Sequence, residues 1–139
     1  MGTDKGAIRH LDNGQQYAGT HLFVDMWGAS RTSDEQGIIL AIEQAVTESG
    51  ATLLKLDSSA FGEHAGVTAF ASLAESHICV NTWHEERMAA IDIFFCAGLD
   101  PYRCVPALKE LFQPEDIRIS EHKRLLASGL THEARLLDP

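Results

Sequence analysis

The stretch Leu73-Ala74-Glu75-Ser76-His77-Ile78-Cys79-Val80-Asn81-Thr82-Trp83 decides the fold, together with Met88-Ala89-Ala90-Ile91-Asp92-Ile93-Phe94-Phe95-Cys96 behind it. Polar and apolar residues alternate in the first stretch and the second is almost wholly apolar, so both predict β-strands. Side chains of a strand alternate between its two faces, so Ile78, Val80 and Thr82 share one face. His77, Cys79, Asn81 and Trp83 then share the other face.

Further strands are predicted at residues 20–27, 51–57, 67–73 and 116–121. Helical spacing of apolar residues follows Ser33, which we expect to be the N-cap of a capping box with Gln36, and ends at Ser49-Gly50. Asp100-Pro101 predicts the start of a second helix that runs toward Phe112. The order β-α-β-β-β-β-α-β favours an α+β two-layer sandwich, an antiparallel sheet with both helices on one face. The opposite face would then need a partner sheet or chain.

Composition indicates one globular domain, with 139 residues, 45% hydrophobic and 22% charged. We expect residues 1–16 to be a flexible N-terminal arm, residues 17–124 the domain and residues 125–139 a C-terminal tail. A net charge of −9 argues against nucleic-acid and membrane partners and is compatible with a cationic substrate. Three cysteines without a CxxC pair suit a reducing compartment, and the first residues lack the apolar core of a signal peptide, so we expect a cytosolic protein.

Ser76, just before the first of the two strands, has three possible roles: a buried hydroxyl, a conventional nucleophile, or a site of self-cleavage. Antiparallel pairing of the two strands could bring Cys96 near Ser76. A cysteine on such a strand is more often a small buried hydrophobic residue, and the spacing from Ser76 favours a functional role here. The histidines lack metal-ligand spacing, so no metal site is expected.

Several sequence blocks occur in a fixed order along the chain: Glu75-Ser76-His77, Thr82-Trp83-x-Glu85, Ala89-Ala90-Ile91-Asp92 and Cys96. His21-Leu22-x-x-Asp25, Glu48-Ser49-Gly50-Ala51 and Asp100-Pro101 extend the series. Over about residues 17–124 this pattern resembles the prokaryotic S-adenosylmethionine decarboxylase proenzymes.

The resemblance implies self-cleavage between Glu75 and Ser76, giving a β chain of residues 1–75 and an α chain of residues 76–139. Ser76 would become a pyruvoyl group, a ketone that forms a Schiff base with a substrate amine and accepts electrons as CO₂ leaves. Cys96 matches the proton donor of the decarboxylation, and Trp83 and Glu85 match pocket positions. The expected product is the aminopropyl donor for spermidine, and the expected assembly is a symmetric dimer of αβ units with its active sites near the interface.

The chain departs from the family at two places. Asn81 replaces a histidine that assists self-cleavage, and an amide cannot relay a proton near neutrality. His84, in place of a proline, is a possible substitute, although a continued strand would turn it away from Asn81. The adenine-stacking phenylalanine is displaced by one residue, to Phe61.

These departures leave two alternatives open. One is a pyruvoyl-dependent decarboxylase of ornithine or arginine, with Glu63 or Glu86 holding the substrate cation. The other is a non-processing regulatory paralogue.

Overall fold

The computed structural model describes residues 8–127. Its strands are β1 Arg9–His10, β2 Gln16–Tyr17, β3 Gly19–Trp27, β4 Leu53–Ala60, β5 Val67–Leu73, β6 Ser76–Trp83, β7 Met88–Cys96 and β8 Asp116–Arg124. Helix α1 spans Glu35–Ser49 and helix α2 spans Val105–Phe112, directly after a 3-10 turn at Pro101–Cys104.

Six strands form one sheet in the order β4-β5-β6-β7-β3-β8, and every neighbouring pair is antiparallel. The four strands β4 to β7 follow one another as hairpins, because short links join antiparallel neighbours most simply. Strand β3 pairs with β7 on one side and β8 on the other. The predicted α+β class is confirmed.

Both helices cover one face of the sheet, and the core lies between these two layers. Apolar residues of α1 at helical spacing, including Ile38, Ile42 and Val46, are buried there, and so are Leu108 and Phe112 of α2. The sheet contributes every second residue, as its burial pattern shows for β6 and β7. Burial of alternate residues, rather than strand propensity alone, therefore fixes which face of each strand meets the helices.

Helix α1 begins one residue later than predicted. Its N-cap is Asp34, whose carboxylate accepts a hydrogen bond from the Gly37 amide at 2.9 Å. The predicted N-cap, Ser33, is therefore wrong, although serine and aspartate are comparably good N-caps. Arg31 decides between them, because its Nε donates to Asp34 Oδ2 at 2.9 Å. The predicted C-terminal stop is confirmed, with Gly50 at φ 79°.

Other boundaries also differ from the prediction. Strand β4 begins and ends later than expected, at Leu53–Ala60, and β8 extends to Arg124. Within the expected N-terminal arm, β1 pairs with β2, and Gln16 bridges to Ala127. Residues 1–7 of that arm and 128–139 of the expected tail lie outside the described residues, and the domain limits stay predictions.

The face of the sheet away from the helices, called here the open face, carries large apolar side chains. Phe23 and Trp27 are each 37% exposed, Phe70 is 43% exposed and Trp83 is 45% exposed. These residues belong to three of the six strands, β3, β5 and β6, so the apolar surface extends from β5 to β3 across the sheet.

Candidate active site

Ser76 opens strand β6 immediately after a two-residue turn. Leu73 pairs with Ser76 across that turn, so Ala74 and Glu75 form its tip. Glu75 has a φ of 63°, in the left-handed region, which costs a residue with a side chain about 1 kcal/mol. The peptide bond between Glu75 and Ser76 is therefore held at a strained and exposed position.

Cys96 ends strand β7 beside Ser76. The register pairs His77 with Phe94, so the end of β7 passes the start of β6. Ser76 Oγ lies 3.9 Å from Cys96 Sγ and accepts a hydrogen bond from the Cys96 amide at 3.3 Å. The two residues that the spacing associated are thus in contact.

Asn81 lies on the open face of β6 and is hydrogen-bonded to Thr68 of β5. Thr68 Oγ1 donates to Asn81 Oδ1 at 2.9 Å, and Asn81 Nδ2 lies 3.6 Å from Cys79 Sγ. Thr68 is not among the site residues predicted from the sequence. Its position in the alternation of residues 67–73, opposite Asn81 in the register, is the signal that could have found it.

A cavity of about 340 Å³ opens beside Asn81, within the range of small-molecule sites. Its walls come from the loop between β4 and β5, the end of β6 and the turn that follows. The predicted residues Phe61, Asn81, Trp83 and Glu85 all line it, together with His64, Ala65, Gly66, Thr68, Thr82, His84 and Glu86. The structure therefore brings four of the seven predicted site residues into one cavity.

His84 also lines this cavity, and its ring bonds to Thr32 on the helix side of the sheet, where the Thr82 hydroxyl also bonds. Strand β6 ends at Trp83, and the alternation of faces ends with it. His84 Nδ1 lies 3.1 Å from the hydroxyl of Thr32, a buried residue in the loop before α1. The His84 ring also stacks on that of His64, with centroids 6.2 Å apart.

The predicted site residues therefore form two groups at opposite ends of β6. Glu75, Ser76 and Cys96 lie at its beginning, and Asn81 and the cavity lie toward its end. Five residues at about 3.4 Å each separate Ser76 from Asn81 by about 17 Å. Within one chain the two groups do not meet.

Titratable groups crowd the centre of the open face. His21 is 8% exposed, and its Nε2 lies 3.4 Å from Asp92 Oδ1 without an aligned hydrogen-bond partner among the described residues. Burial, followed by the positive charge of Arg124, lowers the pKa of His21 against the opposing effect of Asp92. Burial and the Asp92 carboxylate raise the pKa of the Cys79 thiol, which therefore stays protonated at neutral pH.

Comparison with known proteins identifies the family. The model of the S-adenosylmethionine decarboxylase family matches residues 20–125. The chain belongs to this family. A proenzyme named S-adenosylmethionine decarboxylase from Methanococcus maripaludis is 36% identical over 109 residues, which cover 76% of this chain and 88% of that protein.

Two more similar proteins come from different lineages. The Thermomicrobium roseum S-adenosylmethionine decarboxylase proenzyme is 34% identical over 107 residues, covering 76% of this chain and 92% of that protein. The crystal structure of the adenosylmethionine decarboxylase from Aquifex aeolicus VF5 superimposes with a TM-score of 0.70 at 25% identity, covering 84% of this chain and 98% of that one. The matches span the sheet, both helices and both groups of site residues, so the resemblance seen in the sequence is confirmed.

The described residues, 8–127, also bear on metal binding and membrane insertion. Three or more His, Cys, Asp or Glu side chains do not come together there in a way that could hold a metal ion. Neither helix in that part of the chain has the length and apolar character needed to span a membrane.

Proposed function

We propose that this chain is a self-processing, pyruvoyl-dependent decarboxylase of polyamine biosynthesis that acts on S-adenosylmethionine. The observation that carries the proposal is the contact of Ser76 Oγ with Cys96 Sγ at 3.9 Å, next to the left-handed Glu75, in a chain of this family. Its product would be the aminopropyl donor for spermidine.

Self-cleavage begins at the Ser76 hydroxyl. Ser76 Oγ attacks the Glu75 carbonyl carbon, the C–N bond breaks, and the hydroxyl proton passes to the released Ser76 nitrogen, leaving an ester. A base then removes the Ser76 Cα proton, the Cβ–Oγ bond breaks, and Glu75 leaves as a carboxylate. Tautomerisation and addition of water release ammonia and leave a ketone at the new N-terminus. The turn at Glu75 favours the first step, because breaking the peptide bond relieves its strained backbone.

The surroundings of Ser76 fit the pyruvoyl group. The hydroxyl is partly buried and held by the Cys96 amide, so a group formed at this position would stay beside the Cys96 thiol. The pyruvoyl ketone supplies an acceptor for the electrons released as CO₂ departs. Cys96 Sγ lies next to that position and would deliver a proton to the carbon that loses the carboxylate.

The cavity would bind the substrate. Glu85 and Glu86 give it acidic walls suited to a cationic ligand such as a sulfonium. Trp83 and Phe61 offer aromatic faces against which an adenine ring can stack, and Phe61 is 69% exposed before any ligand binds.

A second copy of the chain would complete the site. The Ser76 group and the cavity are about 17 Å apart along β6, farther than one substrate could bridge while held by both. Open faces packed against each other, with the two β6 strands antiparallel, would bring Ser76 of one copy to the cavity of the other. The exposed Phe23, Trp27, Phe70 and Trp83 support this arrangement, because they give the open face an apolar surface to bury. We therefore infer a symmetric dimer of αβ units.

Intact-mass spectrometry and CO₂ release test the proposal together. The purified chain should appear as fragments 1–75 and 76–139, the second without an N-terminal amine, and Ser76→Ala should remain one chain. Cleaved protein should release CO₂ from carboxyl-labelled S-adenosylmethionine. A wild-type chain that stays whole under all conditions would overturn the proposal.

The cavity also supports a second candidate, a decarboxylase of ornithine or arginine on the same fold. Glu85 and Glu86 lie together in its wall and could hold an ammonium or guanidinium group. The Phe61 ring is largely exposed, so it does not enclose a binding site for an adenine ring. Parallel assays with the three labelled substrates separate the candidates. Turnover of S-adenosylmethionine alone would reject the second.

A further inference from the structure

The side chain of Asn81, which lines the cavity, cannot exchange a proton near neutral pH. Asn81 Oδ1 accepts the Thr68 hydroxyl hydrogen at 2.9 Å, and neither an amide nor an alcohol exchanges protons readily near neutral pH. The elimination step of the proposed self-cleavage nevertheless needs a base that takes the Cα proton of Ser76. Some other side chain must supply it.

His84 is the imidazole that the structure anchors in this cavity. Its Nδ1 lies 3.1 Å from the hydroxyl of Thr32, which is only 2% exposed. The Thr32 carbonyl in turn accepts the Thr82 hydroxyl at 2.6 Å, and Thr82 Oγ1 accepts the Val67 amide at 2.8 Å. This series of hydrogen bonds connects the His84 ring to the end of β6 and the start of β5. The orientation of the ring therefore does not depend on an exposed loop.

The anchoring leaves the other ring nitrogen for chemistry. Among the described residues, Nε2 of His84 has no hydrogen-bond partner, and the ring lines the cavity between Asn81 and Glu85 in sequence. A Thr32 hydroxyl that donates to Nδ1 would leave the proton on Nε2. The reverse donation would leave Nε2 as an acceptor, and proton exchange between the two states is what a general base requires.

The other imidazoles near the site are less suitable. His77 follows Ser76 directly, but its ring is sandwiched on the open face by Phe70 and Phe94, with both centroids 5.6 Å away. His21 is buried against Asp92, two strands away from β6. His64 lines the cavity from an exposed loop position and stacks on His84, so it can stabilise the ring without being anchored itself.

We propose that His84, oriented by Thr32, is the proton-carrying residue of self-cleavage, acting on Ser76 of the partner copy. In the elimination step His84 Nε2 takes the Ser76 Cα proton, the Cβ–Oγ bond breaks, and the electron pair leaves on the Glu75 carboxylate. The protonated imidazole then returns the proton when the resulting enamine tautomerises. This inference rests on the proposed self-cleavage and on the two-copy site.

Cell-free synthesis with a labelling pulse tests the role, because it follows newly made full-length chains as they cleave. His84→Gln should slow cleavage about 100-fold, the usual contribution of a general base. Added imidazole should partly restore cleavage in His84→Ala. His10→Gln, which changes an exposed histidine of β1, is the matched control and should cleave like the wild type.

Two further variants separate catalysis from packing. Thr32→Val removes the hydroxyl and should slow cleavage about 10-fold, whereas Thr32→Ser should keep the wild-type rate. Asn81→His in the His84→Gln chain returns an imidazole to the same cavity and should restore cleavage.

The outcomes distinguish the two proposals. Wild-type chain that never cleaves would refute the self-cleavage proposal. A wild-type chain that cleaves, with His84→Gln cleaving at the same rate, would refute only the role of His84. Slow cleavage that neither added imidazole in His84→Ala nor Asn81→His in the His84→Gln chain restores would mean that His84 serves packing, and would also refute its role.

Discussion

Mixing two inactive chains offers a direct measure of the shared site. Ser76→Ala removes the proposed precursor of the cofactor but leaves the cavity intact. Glu85→Gln keeps Ser76 and neutralises one wall of the cavity, without changing the size of the side chain. Each variant alone should lack decarboxylase activity, because every site in its dimer has the same defect.

The structure gives the size of the recovery in a mixture. If Ser76 of one copy works with the cavity of the other, a mixed dimer has one fully defective site and one intact site. Random pairing at equal amounts makes about half of the dimers mixed, so about 25% of all sites are intact. If instead each chain carried its own complete site, no site in the mixture would be intact and the expected recovery would be zero.

Co-expression of the two chains with different tags lets them pair as they fold, and release of labelled CO₂ from S-adenosylmethionine measures the recovery. Tandem purification of the mixed dimer should raise the activity to about half that of the wild type. Activity of the purified mixed dimer that stays at the level of the two parents would refute the shared site. Ser76→Ala mixed with Cys96→Ala should give no recovery, since Ser76 and Cys96 belong to the same group at one end of β6.

Other predictions concern single positions. Gly66→Ala should lower the free energy of unfolding by about 2–3 kcal/mol in urea titrations, because its Cβ would overlap the Thr82 carbonyl oxygen. Cys96→Ser should still cleave by mass spectrometry yet release CO₂ at least about 100-fold more slowly, because an alcohol is a poorer acid than a thiol. Burial lowers the pKa of His21 below its ordinary 6.5, so the unfolded chain binds more protons and the free energy of unfolding should fall as pH drops below 6.5; His21→Asn should flatten that slope.

Alternation along β6 was enough to predict which of its residues face the helices, whereas the spacing of Ser76 and Cys96 only made their contact possible. Ile78, Val80 and Thr82 are buried against the helices, as the period of two requires, and the antiparallel register brings Cys96 to Ser76. These predictions succeed because strand period and hairpin connection are local properties of the chain.

The arrangement of the cavity residues at the end of β6 could not be predicted in the same way. The orientation of His84 depends on where β6 stops and on a hydroxyl 52 residues earlier in the chain, at Thr32. Predicting the pairing of Thr68 with Asn81 requires the exact register between β5 and β6, which a single sequence does not determine. The prediction of the N-cap of α1 was wrong for a similar reason, since a hydrogen bond from Arg31 favours Asp34 over the equally suitable Ser33.

The distance between Ser76 and the cavity has a consequence for how the cofactor would form. A straight strand cannot bring its two ends together, so a site built from both ends of β6 exists only when another β6 lies antiparallel to it. The midpoint between Ser76 and Asn81 falls between Ile78 and Cys79, so a single two-fold axis there serves both copies at once. If His84 of the partner supplies the base, a lone chain holds Ser76 in its strained turn without the group that completes elimination. Self-cleavage would then follow assembly, and each copy would receive its cofactor through contact with the other.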